Sequence, residues 1–308
     1  MRMRSTVLAL AVAALLGQVL LSAQGAAPAR RGPRLPAGVT SHRDNKTVAD
    51  QWLWHMGMLR GVYEIDGVAT LELEKSKGTV RVAGQPCTLV NYRASVNYQV
   101  PGMRVQYTCT RADGQQYKAS EVVSGQFAWD EDIPGAELVP GKGKATPKPD
   151  LLNERLIRLW SSPQGAPKAA AAAGANAKVT MEGGKTIVTY PIPGVTGAVA
   201  RATLASGAAD GICTSYCAER IEVRQGNVVT EFTYANYEDY NDPENRVDAF
   251  FPGRMTEKRG DATLLDLTVE RTETGNVYVV MPVPDSVKGA APRRGGPMTT
   301  EPQTINNR

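Results

Sequence analysis

Histidine is scarce in this chain, whose 308 residues include only His42 and His55. Nucleophilic and general acid-base sites commonly need a histidine held beside a nucleophile by a third group. His42 lies in a segment rich in proline and arginine, and His55 lies in a predicted helix. G-x-S-x-G, H-E-x-x-H and phosphate-binding glycine motifs are also missing from the sequence. We therefore predict that the protein is not an enzyme and takes no cofactor.

Long apolar runs are equally rare. Beyond the N-terminus, no apolar stretch approaches the roughly 18–20 residues that a membrane-spanning helix needs. The first residues combine Arg2 and Arg4 with an apolar run over 7–16 and small residues over 23–27, which is typical of a secretory signal peptide. We predict that residues 1–25 are a signal peptide and that the mature protein is periplasmic or secreted and does not span a membrane.

Two segments without periodicity flank the centre of the chain. Residues 26–46 and 289–308 are rich in proline, glycine and arginine. Segments of this composition bury too little apolar surface to offset the entropy of ordering. We predict a disordered linker over 26–46, a single β domain over 47–288 and a disordered tail over 289–308.

The chain has no large excess of charge of one sign. Its formal net charge is +4, and the loss of Arg2 and Arg4 with the signal peptide would lower it by two. A charge this small steers no strongly charged partner. No basic stripe interleaved with aromatic residues is present, so the sequence indicates no nucleic-acid partner. The sequence does not indicate an oligomeric state.

Cysteine is limited to four residues, and an even number in an exported protein favours disulfides. Cys87 and Cys109 lie in consecutive predicted strands, whereas Cys213 and Cys217 lie in one predicted loop. We expect one bridge within each couple. A zinc site is the alternative, although neither spacing matches a common zinc-binding pattern well.

Hydrophobic periodicity indicates helices inserted into a long run of strands. Thr47 begins a predicted helix, and Pro149 begins a second one that Pro163 ends. An alanine-rich segment over 168–174 favours a short third helix. The remaining segments alternate apolar and polar residues at period two and are separated by tight turns. The sequence therefore predicts an α+β fold with one large meandering antiparallel sheet and two or three helices.

Three segments of the C-terminal third resemble the last hairpins of a known superfamily. They are RIEVRQGNVVTEFTYANYEDY, FFPGRMTEKRGDATLLDLTVER and VYVVMPVP. Together with the order of helices and strands, they resemble the lipoprotein-localisation-factor group, the LolA, LolB and RseB-like periplasmic proteins. The resemblance implies a strongly curved antiparallel sheet, an unclosed barrel, whose concave face is covered by helices. It also implies an apolar cavity beneath the helices that receives acyl chains or other hydrophobic ligands.

Apolar residues on the two predicted helices and on one late strand are the candidate ligand-binding residues. If the sheet is curved as the resemblance implies, these residues surround a cavity in which adaptable side chains suit a variable ligand. We predict a cell-envelope protein that binds a lipid or a lipidated protein through Trp52, Met56, Leu59, Leu156, Trp160, Phe232 and Tyr234. The alternative is a non-catalytic structural or interaction module in which the same residues fill an ordinary core.

Two acidic segments carry further alternatives. Trp129 precedes three acidic residues over 130–132, and a ring beside carboxylates is typical of a carbohydrate subsite. A carbohydrate-active enzyme is therefore one alternative. A polar loop between two late strands is the other segment, and a calcium ion could take oxygen ligands there from Asp239, Asn241 and Asp242. The favoured interpretation is a solvated turn without a metal, because a proline interrupts the spacing of the ligands.

Overall fold

Neighbouring strands of this protein pair into one antiparallel sheet. The computed structural model describes residues 47–56, 70–74, 76–206, 215–239, 250–274 and 279–290. Within these ranges the strands are β1 (Thr70–Glu74), β2 (Lys77–Val82), β3 (Gln85–Asn97), β4 (Gly102–Thr110), β5 (Gln116–Ser124), β6 (Phe127–Glu131), β7 (Ala145–Pro147), β8 (Lys178–Glu182), β9 (Lys185–Pro191), β10 (Ala198–Ser206), β11 (Ser215–Gln225), β12 (Val228–Asp239), β13 (Phe250–Arg259), β14 (Ala262–Thr268) and β15 (Arg271–Thr274). The helices are α1 (Val48–His55), α2 (Leu152–Trp160), α3 (Gly165–Ala172) and α4 (Asp285–Ala290).

Thirteen strands follow a single path across the sheet. Their order is β7-β6-β5-β4-β3-β2-β14-β13-β12-β11-β10-β9-β8, and the path does not close into a barrel. The remaining strands, β1 and β15, pair with each other, and β1 also pairs with β3. Helix α3 contacts both α1 and α2, and helices α1, α2 and α3 contact strands β11, β5 and β9, respectively. The predicted fold class, α+β with a large curved antiparallel sheet that does not close and with helices packed against it, is confirmed.

Strand β3 divides the sheet because it changes partner along one edge. Residues 85–88 pair with β2, whereas residues 94–97 pair with β1. The β3–β4 ladder shifts register between these two stretches, and such bulges bend and twist a strand. We call β1–β7 the N-terminal half and β8–β15 the C-terminal half. They join through two ladders of four residue pairs each, β2–β14 and β1–β15.

One of these joining ladders requires a glycine. Gly78 in β2 has a φ of 143° and faces β14 so closely that a Cβ atom would lie 1.8 Å from the carbonyl oxygen of Asp266. Glycine is the residue that tolerates both this φ and this approach, because it has no side chain. The junction between the halves therefore depends on Gly78.

The helices begin at local hydrogen bonds. The Thr47 hydroxyl accepts from the Asp50 amide at 3.1 Å and donates to its carboxylate at 2.7 Å, which confirms the predicted start of α1. A short 3₁₀ turn over Pro149–Leu151 precedes α2, near the predicted start. Helix α3 begins three residues before the predicted alanine-rich segment, because the Ser162 hydroxyl accepts from the Gly165 amide at 3.2 Å. No helix in the described ranges is long and apolar enough to cross a membrane.

The C-terminal end of the described chain differs from the prediction. Residues 279–283 form no strand, and α4 continues to Ala290, beyond the predicted domain boundary at 288. Instead of joining a ladder, Val279 accepts a hydrogen bond from the Asn97 side chain at 2.8 Å. Val279 and Met281 pack with Trp129 in a second, smaller core. Prolines at 282 and 284 lack the N–H groups that a strand would use.

Candidate ligand-binding chamber

An apolar cavity of about 50 Å³ lies between strands of the two halves at the C-terminal end of α2, and we call it the chamber. The N-terminal half contributes walls from β1, β3 and β4, and the C-terminal half contributes walls from β12, β13 and β14. The apolar and aromatic wall residues are Leu73, Tyr92, Ala94, Val96, Tyr98, Met103, Pro163, Phe232, Tyr234, Phe251, Met255 and Leu265.

Strand periodicity places these side chains on one face. Tyr92, Ala94 and Val96 alternate along β3, so all three point to the same side of the sheet. Phe232 and Tyr234 repeat the pattern in β12. The chamber therefore occupies the inner face next to the position where β3 changes partner.

Helix α2 is fixed to the N-terminal half by Arg155. This side chain is only 3% exposed and donates to the carbonyl oxygens of Val122 at 3.0 Å and Trp129 at 2.6 Å. It also forms an ion pair with Asp130 at 2.5 Å. A buried guanidinium needs such partners, because an unpaired buried charge is strongly destabilising. Arg155 therefore holds one side of α2 against β5 and β6.

Arg158, one helical turn later, connects the two halves. Its Nε and Nη2 donate to the Glu257 carboxylate of β13 at 2.8 and 3.2 Å, and its Nη1 lies 3.4 Å from the Glu121 carboxylate of β5. Glu154 completes the set, which we call the Arg158 cluster. Burial acts to lower the pKa of Arg158, but Glu257 and Glu121 outweigh it, so the pKa lies well above its usual value. The Arg158 cluster thus forms one end of the chamber, where the Arg158 guanidinium stays protonated.

Tyrosine hydroxyls satisfy the C-terminal end of α2. Tyr190 donates to the carbonyl oxygen of Trp160 at 3.3 Å, and Tyr234 donates to that of Ser161. Helix ends leave carbonyl groups without helical partners, so these donors replace water there. Burial raises the pKa of Tyr190 and of Tyr234 well above the ordinary value, so both hydroxyls stay protonated as donors. Because Tyr234 also lines the chamber, the helix end and the chamber wall are coupled.

We expect Tyr234→Phe to lower the free energy of unfolding by about 1–3 kcal/mol, since it leaves the buried Ser161 carbonyl unsatisfied. Urea denaturation of the purified protein measures this change. Tyr117→Phe is the matched control, because the Tyr117 hydroxyl makes no hydrogen bond within the described ranges. Equal effects of the two substitutions would contradict the capping role of Tyr234.

A second cavity of about 110 Å³ adjoins the chamber and is more polar. It shares Tyr92, Arg158 and Leu265 with the chamber and adds Glu121 and Glu154. The Tyr92 hydroxyl makes no hydrogen bond to another described residue, and burial raises its pKa above the ordinary value, so it stays a neutral donor. The two cavities together offer apolar walls followed by hydrogen-bonding groups, an arrangement that suits an amphipathic molecule.

The predicted ligand-binding residues divide into three groups. Phe232 and Tyr234 line the chamber. Trp52, Met56, Leu156 and Trp160 are buried in the main core but are not among the residues that line it. Trp52 contacts the ring of Tyr190 edge-on, with centroids 6.4 Å apart, and so supports the capped end of α2. Leu59 lies outside the described residues.

Most of the wall was not predicted as a site. Tyr92, Ala94 and Val96 carry a period-two signal in the sequence, but only the pairing of β3 with β1 shows which face they share. Arg158 carries no sequence signal for its role, because Glu257 lies 99 residues away. Local sequence patterns therefore predicted the strands but not how the strands surround the chamber.

The acidic segment after Trp129 does not form a carbohydrate subsite. Trp129 is fully buried, and its indole Nε1 donates to Glu131 at 3.1 Å. Glu131 is buried too and binds both Nε and Nη2 of Arg104, at 2.9 and 3.1 Å. Asp132 accepts from the Lys144 amide at 2.7 Å. Because no ring face is open for stacking, this segment has a structural role.

The disulfide prediction is confirmed for one couple. Cys87 and Cys109 form a bridge between β3 and β4. Cys217 is also disulfide-bonded, while Cys213, its expected partner, lies outside the described residues. The candidate calcium ligands Asn241 and Asp242 and the side chain of Asp239 lie outside them as well. The described residues contain no group of three or more histidine, cysteine or acidic side chains that could hold a metal ion.

Comparisons with known proteins add little to this description. No family model matches the chain, and no curated protein matches it. Among solved structures, the chain is similar to the crystal structure of LprF from Mycobacterium bovis, with 13% sequence identity over 77% of this chain and 96% of that chain. The TM-score is 0.29, and a likeness this low assigns neither a fold family nor a ligand to the chain.

Proposed function

We propose that the protein binds the apolar chain of a lipid or of a lipidated partner in the chamber, by burial and without bond chemistry. The chief support is the chamber itself, an unfilled apolar space in an interior that would otherwise be close-packed. Each methylene group buried there would contribute about 0.8 kcal/mol. The adjoining polar cavity would receive the polar end of the molecule through the Tyr92 hydroxyl.

The volume of the chamber sets a condition on this proposal. About 50 Å³ is far below the roughly 300–1,000 Å³ of small-molecule pockets, so a long chain enters only if the walls separate. The Arg158–Glu257 contact between α2 and β13 is the one that would open, because the Arg158 side chain is still 21% exposed and reachable by water. A ligand that prefers the open arrangement would shift the population towards it.

The small volume also favours a second candidate function. If the walls do not separate, the interior is an ordinary core and the protein is a non-catalytic interaction module of the cell envelope.

Under either function, we infer that residues 1–25 direct export and that residues 47–288 act as one domain. The Cys87–Cys109 bridge supports an extracytoplasmic location, because disulfides persist in oxidising compartments.

Filling the chamber tests the proposal. We expect the delipidated protein to bind a dansyl-labelled undecanoic acid, and Ala94→Val to weaken this binding at least about tenfold, a loss of roughly 1.4 kcal/mol. Ala94 lines the chamber, and a β-branched residue suits its strand. Fluorescence titration measures the affinity, and urea denaturation confirms that the variant is folded.

Ala119→Val is the matched control, since Ala119 lies on β5 and packs against the core without lining the chamber. We expect it to leave the affinity unchanged within about twofold. Binding that survives Ala94→Val intact would place the ligand elsewhere. A wild-type protein that never binds the probe, and that releases no acyl species in native mass spectrometry, would support the interaction module instead.

A further inference from the structure

The end of the sheet at β8 is an edge that no other described strand covers. Strand β8 pairs with β9 along one side, and its other side has no partner among the described residues. All five residues of β8 are exposed, including Val179 at 45% and Met181 at 66%. Exposed edges invite pairing with another strand, and proteins usually protect them with prolines, bulges or covering segments. Strand β8 has no proline and no bulge, and its own protection is limited to the charges of Lys178 and Glu182 at its ends, which favour a partner of complementary charge.

The opposite end of the sheet is protected in this way. Strand β7 has three residues and ends at Pro147, which lacks an N–H group for a ladder. Helix α4 also contacts β7, and the Ser286 hydroxyl donates to Glu137 in the loop before it at 2.7 Å. The contrast between the two ends points to β8 as the edge that is left open for a partner.

The sequence of β8, Lys-Val-Thr-Met-Glu, is complementary to itself. If two copies pair antiparallel about Thr180, Lys178 of each copy lies opposite Glu182 of the other. The same register places Val179 opposite Met181, so the two exposed apolar residues cover each other. Cross-strand pairs of opposite charge and of apolar residues both stabilise a sheet. Lys178 would join an ion pair that Glu182 already forms with Arg201.

We propose that β8 is the interface of a twofold symmetric dimer, in which a second copy of this chain extends the sheet through an antiparallel β8–β8 ladder. A twofold axis through Thr180 makes the same five residues serve on both sides, as isologous interfaces require. The ladder is short and buries less than the area typical of stable complexes, so the dimer forms at high concentration and dissociates on dilution.

Charge reversals at the two ends of β8 test the proposal. Sedimentation velocity of the full mature protein across a concentration series should show the wild type passing from monomer to dimer. We expect Lys178→Glu and Glu182→Lys each to weaken dimerisation at least about tenfold, because like charges then face each other. Both residues are exposed, so the variants should stay folded, and Glu182→Lys loses only a solvent-screened surface ion pair with Arg201. Lys118→Glu, on an exposed site of β5, is the control and should leave the dimer unchanged.

A double variant and a mixture of the two single variants make the test specific. The double variant Lys178→Glu/Glu182→Lys restores opposite charges and should dimerise as the wild type does. An equimolar mixture of the two single variants should form a heterodimer, since one copy then presents only acidic ends and the other only basic ends. A wild type that stays monomeric at every concentration would overturn the proposal. A dimer that ignores the single reversals, or a mixture that stays monomeric, would overturn it as well.

Discussion

Arg158→Met is expected to lower the free energy of unfolding by about 3–5 kcal/mol, the cost of breaking a buried ion pair from one side. Glu257 is only 2% exposed, and both of its carboxylate oxygens accept from Arg158. Without the guanidinium, a charge would stay buried between α2 and β13 with no compensating donor. Native stabilities are about 5–15 kcal/mol, so this one substitution removes a large part of the total.

Arg220→Met is the matched control for this measurement. Arg220 also makes an ion pair between strands, with Glu231, but its side chain is 46% exposed. Solvent screening limits such a pair to about 0–1 kcal/mol. Urea denaturation should therefore separate the two variants clearly. Equal losses would mean that the Arg158 cluster contributes no more than a surface pair.

A double variant separates the contribution of the ion pair to stability from the cost of leaving the Glu257 carboxylate buried and unpaired. Arg158→Met/Glu257→Leu removes both partners, and we expect it to recover most of the stability lost in Arg158→Met. Glu121 and Glu154 remain in this variant, but both are partly exposed and stay hydrated. If binding of the labelled fatty acid also becomes faster in the double variant, the Arg158 cluster controls access to the chamber.

Removal of the Cys87–Cys109 bridge is the second large effect. We expect Cys87→Ala/Cys109→Ala to lower the free energy of unfolding by about 3 kcal/mol. The bridge closes a loop over a sequence separation of 22 and so lowers the conformational entropy of the unfolded chain. Both cysteines are buried, so the loss of sulfur contacts adds to the effect. Thermal and urea denaturation without reductant measure it.

Reductant provides the control for the remaining bridge. Cys217 is disulfide-bonded as well, so reduction of the wild type affects more than one site. Adding reductant to the double variant isolates the second bridge, and a small further change is expected if it closes a short loop. A double variant within about 1 kcal/mol of the wild type would show that the strand pairing of β3 and β4 suffices without the covalent link.

The sequence predicted those parts of the fold that follow local chemistry. Thr47 and the proline at 149 mark the starts of helical segments, and alternation in β12 places Phe232 and Tyr234 on one face. The chamber was only partly predictable, because its closure depends on β3 changing partner and on Arg158 meeting Glu257. The acidic segment after Trp129 was open to misinterpretation for the same reason, since Arg104, which neutralises Glu131, comes from a different strand.

The two joining ladders also bear on the order in which the chain folds. Within each half, most strands pair with their neighbours in sequence, so these contacts form quickly. The ladders that join the halves bring together distant segments, such as Arg81 and Thr263, which are 182 residues apart. Closing a loop of this length has an entropic cost that nearby hairpins do not carry. We therefore expect both meanders to form before the joint closes, so the chamber arises only in the final step and a chain that ends before β12 has strands but no chamber.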